Sequence, residues 1–213
     1  MVKFLIALVL SWPFLALATD WLIVPGERFG PIQANSAESD LVQLFGADNV
    51  QPSASIDVGE GMTEPGTVIF PNDPSKTAVI FWTDSTRAAP AVVRVRSVGT
   101  RWKTDKGITI GTSLRALQKI NGRPFVISGF GWDYGGTVVD WRGGRLSGRD
   151  PSQIATTRLT IRLGVDSSRQ EMPAYKHVIG DKDFSSANDA MQTLNPNVYE
   201  LQYVFEKASS PTP

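Results

Sequence analysis

The chain is expected to fold as an α+β protein, and three patterns lead to that class. Short capped helices recur along it, paired β-favouring runs lie between them, and turn residues close those runs into antiparallel hairpins rather than parallel βαβ units. Taking Ser36, Thr112 and Ser186 as helix starts, the fifth position on holds Leu41, Leu117 and Met191. The eighth holds Leu44, Ile120 and Leu194, and the tenth holds the breakers Gly46, Gly122 and Pro196. A recurrence every 74 to 76 residues reads as tandem units of helix plus hairpin or meander.

The first residues read as an export signal rather than as fold. Met1-Val2-Lys3 is positive, Phe4 to Leu17 is almost wholly apolar, and Ala16-Leu17-Ala18 fits a cleavage site. The apolar run is short for a bilayer span, and charged residues follow. Residues 1–18 are therefore expected to be removed, leaving 195 of the 213 residues. The protein is then exported, periplasmic or secreted, with no membrane anchor after cleavage.

Trp21 to Val24 opens the first unit as a strand stopped by Pro25-Gly26. Asn35 and Ser36 are N-cap residues, with Glu38 as capping-box partner of Asn35. Leu41, Leu44 and Phe45 form the apolar stripe, and Gly46 ends the helix. Residues 53–66, rich in Gly, Glu and Pro, read as a loop. Thr67 to Phe70 and Ala78 to Trp82 then make a hairpin around Pro71-Asn-Asp-Pro-Ser75. The composition changes at residues 83–90, placing a first unit at 19–90 and a second at 91–208.

In the second unit, Ala91 to Val98 alternates Val93 and Val95 with Arg94 and Arg96, a strand with one wet side. A helix follows with Thr112 as cap, Leu114, Leu117 and Ile120 as stripe, and Asn121-Gly122 as stop. Phe125 to Ile127 and Thr137 to Trp141 are strands. Leu159, Ile161 and Leu163 alternate with Arg158, Thr160 and Arg162 in another half-buried strand. The third helix follows Ser186, and Tyr199 to Phe205 is the closing strand, with Leu201, Tyr203 and Phe205 inward. Residues 209–213 read as a disordered tail.

Charge and composition restrict function. Without Lys3 the chain has 20 basic and 21 acidic side chains. That balance argues against nucleic acid as a partner and gives no attraction to an acidic membrane. The absence of cysteine removes thiolate zinc sites, disulfides and a Cys-His nucleophile. The lone histidine, His177, lies in a polar segment without the neighbours that a triad or metal site needs. No cofactor or metal is implied.

The strongest functional candidate is the GFGWDYGG stretch at 129–136. Phe130, Trp132 and Tyr134 alternate, so in a strand they share one aromatic face. Gly135 and Gly136 allow a ligand or another backbone to come close. With Asp133 and the nearby Trp141, this set suits a sugar ring or a partner's side chains; the alternative is that the aromatics are core and the glycines mark bulges. Asp133 and Asp140 also admit a carbohydrate hydrolase with a carboxylate pair, although each sits where aspartate is favoured for turns. Arg94, Arg96, Arg158 and Arg162 form either a basic sheet face, suited to an anionic glycan or acidic partner, or a solvated one.

The Gly111-Thr-Ser-Leu start, the Leu117-x-x-Ile-Asn-Gly-x-Pro124 stop and the later Trp132-Asp-Tyr134 element resemble one known module. It is the helix-plus-β-meander of β-lactamase inhibitory proteins and of the small lipoprotein of the outer-membrane barrel-assembly machinery. Gly111, Thr112, Leu117, Ile120, Gly122, Pro124, Trp132 and Tyr134 match its outline, over roughly 40 residues from 107 to 146; residues 30–82 match weakly. The chain lacks the lipoprotein's cysteine and the inhibitors' disulfides. The resemblance implies a scaffold for protein contacts and carries no catalytic residue. The expectation is thus a non-catalytic envelope binding protein, with an enzyme inhibitor and a small hydrolase as the alternatives.

Overall fold

The computed structural model describes residues 20–147 and 159–205. The expected signal peptide (1–18), the tail (209–213) and Arg158 lie outside the described residues. The chain runs β1 (Leu22–Val24), β2 (Arg28–Phe29), α1 (Glu38–Phe45), β3 (Val50–Gly59), β4 (Met62–Ile69), β5 (Ala78–Trp82), β6 (Pro90–Val95) and β7 (Lys103–Thr104). It continues through α2 (Leu114–Asn121), β8 (Val126–Ser128), β9 (Val138–Asp140), β10 (Leu159–Gly164), α3 (Ser167–Gln170), β11 (Asp183–Ser185), α4 (Asp189–Leu194) and β12 (Asn197–Val204). This is the α+β class expected from the sequence.

The main sheet has six strands in the order β10-β12-β6-β5-β4-β3, all neighbours antiparallel. The described residues also form two three-stranded sheets, β2-β1-β7 and β11-β8-β9. Within the first of these, β1 and β7 pair in parallel. Strand alternation puts Ile80, Val93, Val95, Leu159, Ile161, Leu201 and Tyr203 on the buried face of the main sheet. They join one continuous core reaching from Ile23 to Phe205. Trp102 is fully buried in it, its ring 4.3 Å from Phe29 and 4.7 Å from Trp21, while its indole N–H donates to the Lys76 carbonyl at 2.8 Å.

The composition change at 83–90 falls at the connection between β5 and β6, which pair with each other in the main sheet. The recurrence of helices also differs from a tandem arrangement in placement. The hairpin after α1 lies in the six-stranded sheet, whereas that after α2 builds the small sheet with β11. Helix α1 packs on β3, while α2 and α4 pack on each other.

Each of the three expected caps sits just ahead of the true one. Ala37, Ser113 and Asn188 are the N-caps. The Ser36 and Thr112 hydroxyls accept from backbone N–H groups three residues earlier, Gln33 and Thr109, so they close the turn that leads in. Ser186 is fully buried and accepts from Phe125 N–H while donating to Gln118. Glu38 does not close a box either. Its N–H is fixed by the Arg87 carbonyl, Asp40 takes the box role, and the Glu38 carboxylate reaches Arg87 and Thr67 instead. Leu44 is exposed and leaves the stripe to Leu41 and Phe45.

Residues expected as a loop at 53–66 form most of the β3–β4 hairpin. Its outer strand is the free edge of the sheet, where Pro52 is tolerated and no apolar alternation is needed. Arg94, expected on a wet face, is only 6% exposed. Asp57 of β3 covers it, accepting from its guanidinium at 2.7 Å, and the guanidinium lies 4.9 Å from the Phe81 ring.

Candidate functional site

The stretch from Phe130 to Gly136 is a compact turn, not a strand. Left-handed backbone at Gly131 and Gly136 breaks the period of two, so the three aromatics do not share a face. Phe130 points inward at 5% exposure and stacks on Tyr175, while Trp132 and Tyr134 point outward at 37% and 60%. Those two rings meet edge to face with centroids 5.5 Å apart. Of the expected aromatic surface, the structure keeps Trp132 and Tyr134 together as exposed rings and takes Phe130 out of that pair, into the lining of the groove described below. Trp141 is removed as well: it is 8% exposed, packs 5.0 Å from Phe125 and lines a separate cavity beside Arg145.

The turn is tightly held. Trp132 donates its indole N–H to the Gly129 carbonyl at 2.9 Å. The Tyr134 carbonyl accepts from Ser128 at 2.9 Å and Thr137 at 2.7 Å. Gly136 N–H reaches the Ser128 carbonyl, and its own carbonyl accepts from Leu163 N–H at 2.8 Å. The expected close approach of another backbone is made within the chain: a Cβ on Gly136 would stand 1.9 Å from the Leu163 carbonyl oxygen. Gly135 borders the groove described next, but a Cβ there would meet the Gly129 and Trp132 carbonyls at 2.9 Å.

Arg162 joins this turn to the main sheet. One of its terminal nitrogens donates to the Asp133 and Gly135 carbonyls. The other meets Glu200, and its Nε is buried without a hydrogen-bond partner. Arg162 and Glu200 are cross-strand partners on β10 and β12, with a bulge immediately after Arg162 that re-aims the strand toward the turn. Glu200 has no exposed surface and also accepts from Arg96 Nε and from Gln202 at 2.9 Å. Two guanidiniums therefore share one buried carboxylate. Arg94 lies on the same sheet face, opposite Gln202. Burial lowers its pKa first, with the neighbouring Arg96 charge adding to the fall.

Trp132, Arg96 and Arg162 border an open groove of about 780 Å³. Phe130, Tyr175 and Tyr199 form its aromatic wall, and the Arg162 guanidinium lies 5.4 Å from the Tyr199 ring. Burial raises the Tyr199 pKa against the opposing effect of the Arg162 charge. Asp166 at the groove margin is held well below the usual carboxylate range by its hydrogen bond from Arg169. Asp133 and Asp140 do not line the groove, and the Asp140 carboxylate pairs with Arg142 at 3.0 Å. Among the described residues no group of three or more His, Cys, Asp or Glu is placed to hold a metal ion.

Tyr175, Tyr199 and Glu200 were absent from the sequence-derived set. Glu200 shows in the sequence only as a carboxylate within the closing strand; strand order and register decide that it meets Arg96 and Arg162. Tyr175 had no signal, since it arrives through the 3-10 turn at 173–177. No helix among the described residues is long and apolar enough to cross a membrane. No protein-family model, curated protein or solved structure gives a significant match to the chain.

Proposed function

We propose that the protein is a non-catalytic, exported binding protein of the cell envelope, taking a protein or glycan partner through the Trp132–Tyr134 turn and its adjoining groove. The observation that carries this reading is the exposure of two large aromatic rings on a turn that is otherwise fixed by hydrogen bonds. Exposed aromatics on a rigid frame lose little conformational freedom on binding, which is how such residues become anchors. Affinity capture from envelope extract, with wild-type protein beside Trp132→Ala, tests it. Loss of one or more partners with the variant is expected; equal recovery of every partner by both refutes the reading.

A second reading, inhibition of a secreted or periplasmic enzyme, follows from the scaffold resemblance and is favoured by the β3–β4 hairpin. Its tip, residues 59–62, lies at the free edge of the sheet and carries Met62 at 54% exposure. If that hairpin is the contact, replacing residues 58–63 by Asn-Gly removes the captured partner while Trp132→Ala leaves it.

A further inference from the structure

We infer that the groove between Trp132 and the β10–β12–β6 face is a site for a saccharide carrying carboxylates. This deepens the binding role and rests on it. Charge is the first argument. Arg96 and Arg162 share Glu200, which leaves one positive charge uncompensated, while Asp166 is neutralised by Arg169. Arg96 spends only Nε on Glu200. Its two terminal nitrogens make no hydrogen bond with the described residues, and its side chain is 41% exposed at the groove. A guanidinium held by one edge and free at the other presents the fork that receives a carboxylate.

Shape is the second argument. Trp132 offers a half-exposed indole, and Tyr175 and Tyr199 border the same space, so ring faces lie beside the cationic fork. The volume falls within the range of about 300–1,000 Å³ usual for ligand clefts. An extended acidic peptide is less well served. Such peptides add to a free strand edge, but on the groove side β10 already bonds the 136–137 turn through the Thr137–Arg162 bridge and the Leu163 N–H. Recognition here falls to side chains and ring faces, which suits a pyranose.

Calorimetric titration with tetramers of galacturonate, glucuronate and mannuronate, their methyl esters, and tetraglutamate tests the assignment. At least one uronate tetramer should bind ten-fold or more tightly than its ester and than tetraglutamate, and raising NaCl should weaken that binding alone. Arg96→Gln should abolish the preference for acid over ester. Arg96→Lys, which keeps the charge without the fork, should retain part of it. Equal binding of acid and ester, equal binding of tetraglutamate, or no binding of any uronate overturns the carboxylate assignment. Those results leave the aromatic contact standing, because that contact fails only if Trp132→Ala captures every envelope partner that wild type does.

Discussion

Replacing Glu200 by Gln probes the junction between scaffold and site. The change keeps size and one acceptor but removes the charge shared by Arg96 and Arg162. Removing one partner of a buried ion pair typically costs about 3–5 kcal/mol, because the remaining charge stays desolvated. Water relieves part of that at Arg96, whose side chain is 41% exposed, but little at Arg162, at 15%. The net expectation is about 2–3 kcal/mol. Urea unfolding should report it as a lower midpoint at unchanged slope. In a thermal scan the loss corresponds to roughly 4–12 °C for a chain of this size. Arg96→Gln, which removes only the exposed partner, should cost no more than about 1 kcal/mol. A Glu200→Gln protein within about 0.5 kcal/mol of wild type, the scale of an ordinary surface change, would refute the reasoning. So would Arg96→Gln being the more damaging of the two.

Other consequences are local. Gly136→Ala places a methyl against the Leu163 carbonyl in left-handed backbone and should cost more than about 2 kcal/mol, whereas Gly143→Ala, also left-handed but 3.5 Å from its nearest neighbour, should cost about 1 kcal/mol. Paired denaturation curves check the order. Asn121 is buried, donates to the Arg123 and Trp141 carbonyls and accepts from Leu146 N–H, so Asn121→Ala should lose about 2–4 kcal/mol in the same assay. Asp73 is held at about 2, against an ordinary value of 3.8, chiefly by its hydrogen bond with Lys76. A depressed carboxylate contributes stability that is present above its unfolded pKa and lost as pH falls through the folded one. Asp73→Asn should therefore flatten the stability profile between about pH 4 and pH 2, and an unchanged slope there would remove Asp73 from the account.

How far the sequence could be read depended on which physical signal each element carried. Alternation located β6, β10 and β12, because their inward residues meet a core that tolerates only apolar side chains. The edge strand β3 escaped, since a strand exposed on its outer side has no such pattern to show. Caps were misplaced by one or two residues because tertiary hydrogen bonds, such as Glu38 N–H to the Arg87 carbonyl, fixed where the helix starts. At the site, Trp132 and Tyr134 were legible as a pair, but Phe130 and Trp141 were not separable from them by composition. Glycine turns, which rotate neighbouring side chains to opposite sides, decide that separation. The buried Glu200 that joins two arginines is a property of strand register, which alternation alone does not supply.

The most direct measurement is a two-dimensional amide and indole NMR spectrum of the protein titrated with the three uronate tetramers. The described residues contain five tryptophans, Trp21, Trp82, Trp102, Trp132 and Trp141. The account predicts that the Trp132 indole signal and the side-chain signals of Arg96 move together with the tetramer that binds, while those of the fully buried Trp102 and of Trp141 in its separate cavity stay in place. Movement at Trp141 without Trp132, or an unmoved spectrum with all three tetramers, would contradict it.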